Sequence, residues 1–165
     1  MNAPDPAAAP AVTPEHALGT FVGHVCRYFE QIGGSRPEML EPVLERRPSP
    51  RLANTGYMAV AGAAEGWIAL SLPDALLHRL LADLGETLRD RGALLDLTAE
   101  MAGTITSLAR AEYGEHLRVS PPFAIDAAAP EPPLPVPPVS LKLPFRWESH
   151  EAYLRIALLP PPASP

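Results

Sequence analysis

Five residues on one predicted helix carry the chemistry this chain has to offer: Asp96, Glu100, Gly103, Thr104 and Ser107. Asp96 and Glu100 are four apart, as are Glu100 and Thr104, so their side chains line one ridge. The ridge is acidic toward its N-terminal end and small and uncharged beyond Glu100. Exposed helix faces usually carry long charged side chains, and a glycine inside a helix costs about 1 kcal/mol relative to alanine. A strip of Gly, Thr and Ser beside a carboxylate therefore has two readings. It is a docking groove for another surface, or a face packed against a helix of this chain or of a second subunit. Two acids one turn apart are ordinary, and nothing else here points to paired carboxylates acting on sugars.

Other chemistries find less support. The histidines (His16, His24, His78, His116, His150) form no HExxH pattern and have no cysteines at zinc spacing, so they read as surface residues. Gly33-Gly34 lacks the Lys and Ser/Thr of a phosphate loop, and no Gly-x-Ser-x-Gly is present. Cys26 is the one cysteine and reads as a small core residue in a reducing compartment. With 19 acidic and 13 basic residues the net charge is -6, which argues against a nucleic-acid partner.

The elements that must position the ridge follow from periodicity. Of 165 residues, 47% are apolar and 19% charged, a composition that folds, at a length suited to one domain. Proline is dense at both ends and over 121–144, and sparse between Arg51 and Ser120. Proline removes a backbone donor, so dense stretches mark loops and tails. The expected organisation is a flexible tail at 1–12, a domain at 13–159 and a C-terminal tail at 160–165. Ala127–Pro138 reads as a proline-rich surface loop between two strands, with a proline-rich ligand for another domain as the alternative.

Thr13–Ile32 reads as a helix capped by Thr13, with Leu18, Phe21, Val22, Val25, Phe29 and Ile32 as its stripe and Gly33-Gly34 as its stop. An edge strand is expected within 38–46. A hairpin follows, Thr55–Ala61 and Trp67–Leu72, turning over Gly62–Gly66. Pro73-Asp74 opens a helix to Leu84 with a stripe of Leu76, Leu77, Leu80, Leu81 and Leu84. The ridge-bearing helix spans Ala93–Tyr113, and Leu94, Leu97, Met101, Ile105 and Leu108 form its apolar side. Strands are expected at Val119–Ile125, Ser140–Trp147 and Ala152–Leu159, the last two joined by a turn at Glu148–Glu151. This order predicts an α+β fold, an antiparallel sheet with helices packed on it. The N-terminus lacks the charge and apolar run of a signal peptide. Tyr57–Leu72 is too short and interrupted to cross a bilayer. A cytoplasmic protein with no membrane partner is the expectation.

From about Ala17 to Leu159 the chain resembles the CheX branch of the CheC/CheX/FliY phosphatases of bacterial chemotaxis. The resemblance rests on LGTFVGHVCRYFEQIGG, GAAEGWIALSLP, LLDLTAEMAGTITSLAR, VSPPFAI and LKLPFRWESHEAYLRIAL in that order. It implies a CheC-like fold, a CheY-like receiver domain as partner and hydrolysis of that receiver's aspartyl-phosphate. The family motif is an acidic or Ser residue, three residues, Glu, two residues, Asn. It falls on Asp96, Glu100 and Gly103. The resemblance implies that Glu100 pairs with a receiver lysine, and that the Asn amide would orient the attacking water. Here Gly103 stands in place of that Asn, and Ser107 in place of a family glycine. Thr104 offers a hydroxyl one position along. The reading is a receiver-binding protein whose phosphatase activity is weak or lost. Its alternatives are an active phosphatase and a non-catalytic module that pairs with a second copy. No cofactor of its own is implied, since Mg²⁺ would arrive with the receiver.

Overall fold

A computed structural model describes residues 14–114, 116–135 and 137–159. Thr13 and the expected tails at 1–12 and 160–165 lie outside the described residues. Helix α1 (Pro14–Gly33) buries Phe21, Val25 and Phe29 from the expected stripe, while Leu18, Val22 and Ile32 are half-buried. Cys26 is buried beside them, as expected. The helix end lies directly on the Trp147 ring. A Cβ on Gly33 would sit 2.3 Å from the Trp147 Cζ2 atom, so only glycine permits this approach.

Strands β1 (Glu38–Met39) and β2 (Val43–Glu45) replace the single edge strand expected over 38–46. Pro42 lies between them and has no N–H to give to a ladder. Strands β3 (Asn54–Gly62) and β4 (Glu65–Leu72) form the expected hairpin, with Gly62 and Gly66 at positive φ. Helix α2 (Asp74–Asp83) buries Leu76, Leu77, Leu80 and Leu81. Leu84 departs from the expected stripe and is half exposed, because the chain leaves the helix there and Gly85 turns it at φ 73°. Helix α3 (Arg91–Tyr113) starts before Ala93, because the Asp90 carboxylate caps it by accepting from the Ala93 N–H at 2.9 Å.

The strand expected at 119–125 is broken into β5 (Leu117–Val119) and β6 (Phe123–Asp126). Val119 pairs with Val60 and Phe123 with Tyr57, so Ser120-Pro121-Pro122 opposes only Met58-Ala59. This is a bulge of one residue. The two prolines cannot donate to β3, and Ser120 takes over. Its N–H donates to the Ala59 carbonyl, and its hydroxyl accepts from the Ala59 N–H, both at 2.9 Å. Strand β7 (Ser140–Trp147) matches its expected bounds. Strand β8 (His150–Leu159) begins earlier than Ala152, because Glu148 and Ser149 alone make the turn, both at positive φ.

All strands join one antiparallel sheet in the order β1-β7-β8-β4-β3-β5, with β2 also on β7 and β6 also on β3. One face, through Ile68, Leu70, Leu143, Phe145, Leu154 and Ile156, meets α1, α2 and α3 in the main core. The fold is therefore α+β, with helices packed on an antiparallel sheet. The central strands are buried on both sides. On the second face Tyr57, Trp67, Ala69 and Ala157 cluster with Ile125 and with Leu134 of the proline-rich loop.

A polar cluster ties α2, α3 and β3 together. Arg91 donates to both Asp74 oxygens at 2.7 and 2.9 Å and to Asn54 Oδ1 at 2.8 Å, and Asn54 Nδ2 donates to Asp74 at 2.7 Å. The Arg91 hydrogen bonds hold the Asp74 carboxyl below its usual range, with Asn54 adding to the effect. A lowered folded value stabilises the fold above the unfolded pKa of about 4 and is lost as pH falls through the folded value. Melting temperature should therefore hold near neutrality and drop below about pH 4. Asp74→Asn should flatten part of that acid slope. An unchanged slope in the variant would remove Asp74 from the acid response.

Candidate functional site

The ridge is held from both ends of α3. The Asp74–Arg91–Asn54 cluster fixes its start. Near its end Glu112 accepts from the Thr20 hydroxyl at 2.9 Å and meets His24 Nε2 at 2.7 Å, which clasps α1 to α3. The Thr20 hydrogen bond, aided by His24, holds the Glu112 carboxyl below its usual range. His24 is thus buried, unlike the surface residue expected from the sequence. Midway, α3 presses on β3, where a Cβ on Gly56 would lie 2.8 Å from the Thr98 carbonyl.

Held this way, α3 turns Leu94, Leu97, Met101 and Ile105 into the core, together with Thr98, Ala102 and Ala109. Leu108 is only half-buried, at the side of the stripe. Asp96, Glu100, Thr104 and Ser107 stay exposed and Gly103 is half-buried. No helix of this chain covers the ridge among the described residues, so packing within the chain does not explain its small side chains. Glu100, Gly103, Thr104 and Ser107 share a shallow groove of ≈ 490 Å³ with Met58, Leu108 and Pro122. Asp96 does not line it. Burial first and the Glu100 charge second push the Tyr28 hydroxyl up to about 12, so Tyr28 stays neutral.

Pro122 is the contact that sequence reasoning did not place. A Cβ on Gly103 would sit 3.0 Å from Pro122 Cγ, so the bulge after β5 leans into the space above the glycine. The Ser-Pro-Pro phrase was visible in the sequence, but the contact depends on the bulge. Arg110 also went unforeseen. It donates to the Leu117 carbonyl at 2.9 Å and lines a second concavity with Ser107, Ala111 and Gly114. Among the described residues no three His, Cys, Asp or Glu are grouped to hold a metal ion. No described helix is long and apolar enough to cross a membrane.

Chemically, the groove offers one carboxylate, two hydroxyls and an apolar floor. It has no nucleophile–base pair. It suits the seating of another molecule's reactive centre.

Comparison with known proteins agrees with this layout. The family model for chemotaxis phosphatase CheX matches residues 54–140, which contain β3 through α3 and the groove. No curated protein matches by sequence. Among solved structures, a CheX chemotaxis protein from Desulfovibrio desulfuricans is 18% identical, with a TM-score of 0.74 over 86% of this chain and 97% of that one. A CheC-like superfamily protein from Shewanella sp. PV-4 gives 15% identity and a TM-score of 0.74 over 86% and 96%. CheX from Borrelia burgdorferi, solved with CheY, BeF₃ and Mg²⁺, gives 14% and 0.65 over 86% and 96%. At these identities the structures share the fold, while the family match spans more than half of the chain. The protein belongs to the CheX family of chemotaxis phosphatases, within the CheC/CheX/FliY superfamily.

Proposed function

We propose that this protein binds the phosphorylated receiver domain of a CheY-type response regulator through the Glu100 ridge, and that its phosphatase activity is weak or lost. The observation that carries this reading is the groove itself. Glu100 stands exposed at its wall, and Gly103, one turn on, offers no side chain to the space in front of it. The Borrelia relative was solved as a complex with CheY, which makes a receiver the first partner to try.

In aspartyl-phosphate hydrolysis, water attacks phosphorus in line. The P–O bond to the aspartate breaks, and carboxylate and inorganic phosphate leave. The receiver supplies the phosphoryl group and Mg²⁺, so the phosphatase contributes mainly positioning. Glu100 fits the role of pairing with a receiver lysine. Gly103 cannot hold a water. The Thr104 hydroxyl is displaced by one residue, about 100° around the helix. A misplacement of about 1 Å can already cost on the order of a hundredfold.

The test measures binding to receivers held in a phosphorylated-like state by Mg²⁺ and BeF₃, and in a separate assay follows hydrolysis of the aspartyl-phosphate on a phosphorylated receiver. Binding without appreciable turnover is expected. Acceleration to ordinary enzyme rates would sink the claim of lost activity. Gly103→Asn should then raise turnover by about tenfold to a hundredfold. For this, the exposed Pro122 must yield by a few tenths of an ångström. The gain should vanish when Glu100→Ala is added.

A second reading is pairing of two copies through a sheet edge. Val43 and Leu44 of the edge strand β2 favour it, being 46% and 66% exposed. Leu44→Asp should convert such a dimer to monomer in sedimentation velocity. A chain that is monomeric from the outset would exclude it.

A further inference from the structure

The sheet face opposite the helices carries a groove that is already occupied, and its occupant is proline-rich. Residues 131–135 lie against Tyr57 and Trp67. The Trp67 indole N–H donates to the Pro135 carbonyl at 2.6 Å, and Leu134 packs on the aromatic cluster. Arg51 holds the loop's start, donating from Nη2 to the Ala127 and Ala129 carbonyls and meeting Glu131 at 3.3 Å. Asp126 accepts from the N–H groups of Ala128 and Ala129.

These parts belong to polyproline recognition. An aromatic pair offers flat walls, and an indole N–H reads a carbonyl that proline leaves free. The fit is incomplete. The loop is tethered at Asp126 and Ser140, and the Leu134 N–H turns back to the Pro132 carbonyl at 2.7 Å. Beside that turn a partly open cavity of ≈ 230 Å³ is left unfilled. Pro48, Tyr57, Trp67, Pro132, Leu134 and Arg155 are among its walls. The Arg51 side chain is nine-tenths buried, yet among the described residues its Nη1 has no hydrogen-bond partner.

We infer that the Tyr57–Trp67 groove is a binding site for proline-rich segments, with residues 131–135 as its resident, intramolecular ligand. The occupant in trans is an extended proline-rich stretch of a partner protein. The resident loop prints the chemistry that the groove accepts. An untethered segment can extend past Pro132 into the cavity that the turn leaves open. Tethering gives the resident an effective concentration in the millimolar range, so a partner must outcompete it. This surface lies on the other side of the sheet from the Glu100 groove, and the inference does not depend on that groove's function.

The experiment titrates a synthetic peptide with the sequence of residues 129–139 into the full chain, reading the Trp67 indole N–H resonance. The intact chain should bind weakly. Leu134→Gly removes the resident's apolar anchor and leaves Tyr57 and Trp67 in place, so it should tighten binding about fivefold or more. Replacing 129–138 by a Gly-Ser linker should tighten it further. Trp67→Phe, read by isothermal titration calorimetry because it lacks that indole, should weaken binding in every background. A peptide with alanine for each proline should not bind. The inference is overturned if Leu134→Gly, with an unchanged melting temperature, binds no more tightly than the intact chain. Equal binding of the alanine peptide would overturn it too, as would a Trp67 resonance that does not move at saturating peptide.

Discussion

Glu100→Arg should lower affinity for a BeF₃-activated receiver by about a hundredfold or more and leave the fold intact. The size follows from what the change does at the contact. In the proposed docking, a carboxylate facing a receiver lysine becomes a guanidinium facing it, so attraction is replaced by repulsion in a site drying on contact. Removing one partner of such a pair typically costs a factor of about 30 to several thousand. The fold should not notice. Glu100 is exposed and enters no hydrogen bond or ion pair among the described residues, and surface changes of this kind usually stay within about 0.5 kcal/mol. Tyr28 supplies an internal control, because the Glu100 charge helps raise its hydroxyl pKa. In the variant that value should move down from about 12 in an alkaline absorbance titration. A folded variant with the shifted tyrosine and undiminished receiver binding would take function away from this ridge.

Arg155→Ala should be the most destabilising of the substitutions considered. Arg155 is 3% exposed on the sheet face opposite the helices. Its Nε and Nη2 donate to Glu45 at 3.1 and 2.9 Å, and Nη2 also reaches the Ser49 carbonyl and hydroxyl. Burial pushes the Glu45 carboxyl up, but Ser49, Arg155 and Lys142 together outweigh it and hold the group below its usual range. Truncating Arg155 leaves that carboxylate largely enclosed, with Lys142 at 3.9 Å as its remaining cation. Breaking a buried pair in this way costs about 3–5 kcal/mol. For a chain of this size that is a fall of roughly 6–20 °C in melting temperature. Replacing both partners, Glu45→Met with Arg155→Met, should recover most of it, since paired apolar substitutes avoid the desolvation cost. A loss under about 1 kcal/mol in Arg155→Ala would mean that Glu45 finds solvent instead. Because Arg155 also lines the cavity beside the proline-rich loop, peptide binding belongs to a separate assay on stable variants.

What the sequence determined by itself was whatever short-range rules govern. Helix α3 and its two sides could be read from the spacing of Leu94, Leu97, Met101 and Ile105 against Asp96, Glu100, Thr104 and Ser107. A period near 3.6 leaves a helix one way to bury its leucines. The β3–β4 hairpin was legible from glycines at both ends of its turn, and β7 was placed at Ser140–Trp147, as half of a closing hairpin. The order of these phrases was enough to find the family.

Tertiary structure decided the features that depend on residues far apart in sequence. Whether the ridge was a groove or a packed face could not be read from α3 alone, since composition there is the same for both. It is open because α1 and the sheet take the other sides of the helix. The break at Ser120-Pro121-Pro122 depends on β3 offering two residues against three, and only that bulge carries Pro122 to Gly103. His24 is buried because Glu112, on another helix, is there to bond it. The same holds for the second sheet face. Proline density marked 127–138 as a loop, but that it lies on Tyr57 and Trp67 follows from where β6 ends and β7 begins. Local propensity is a property of neighbours in the chain, whereas a groove is made by neighbours in space.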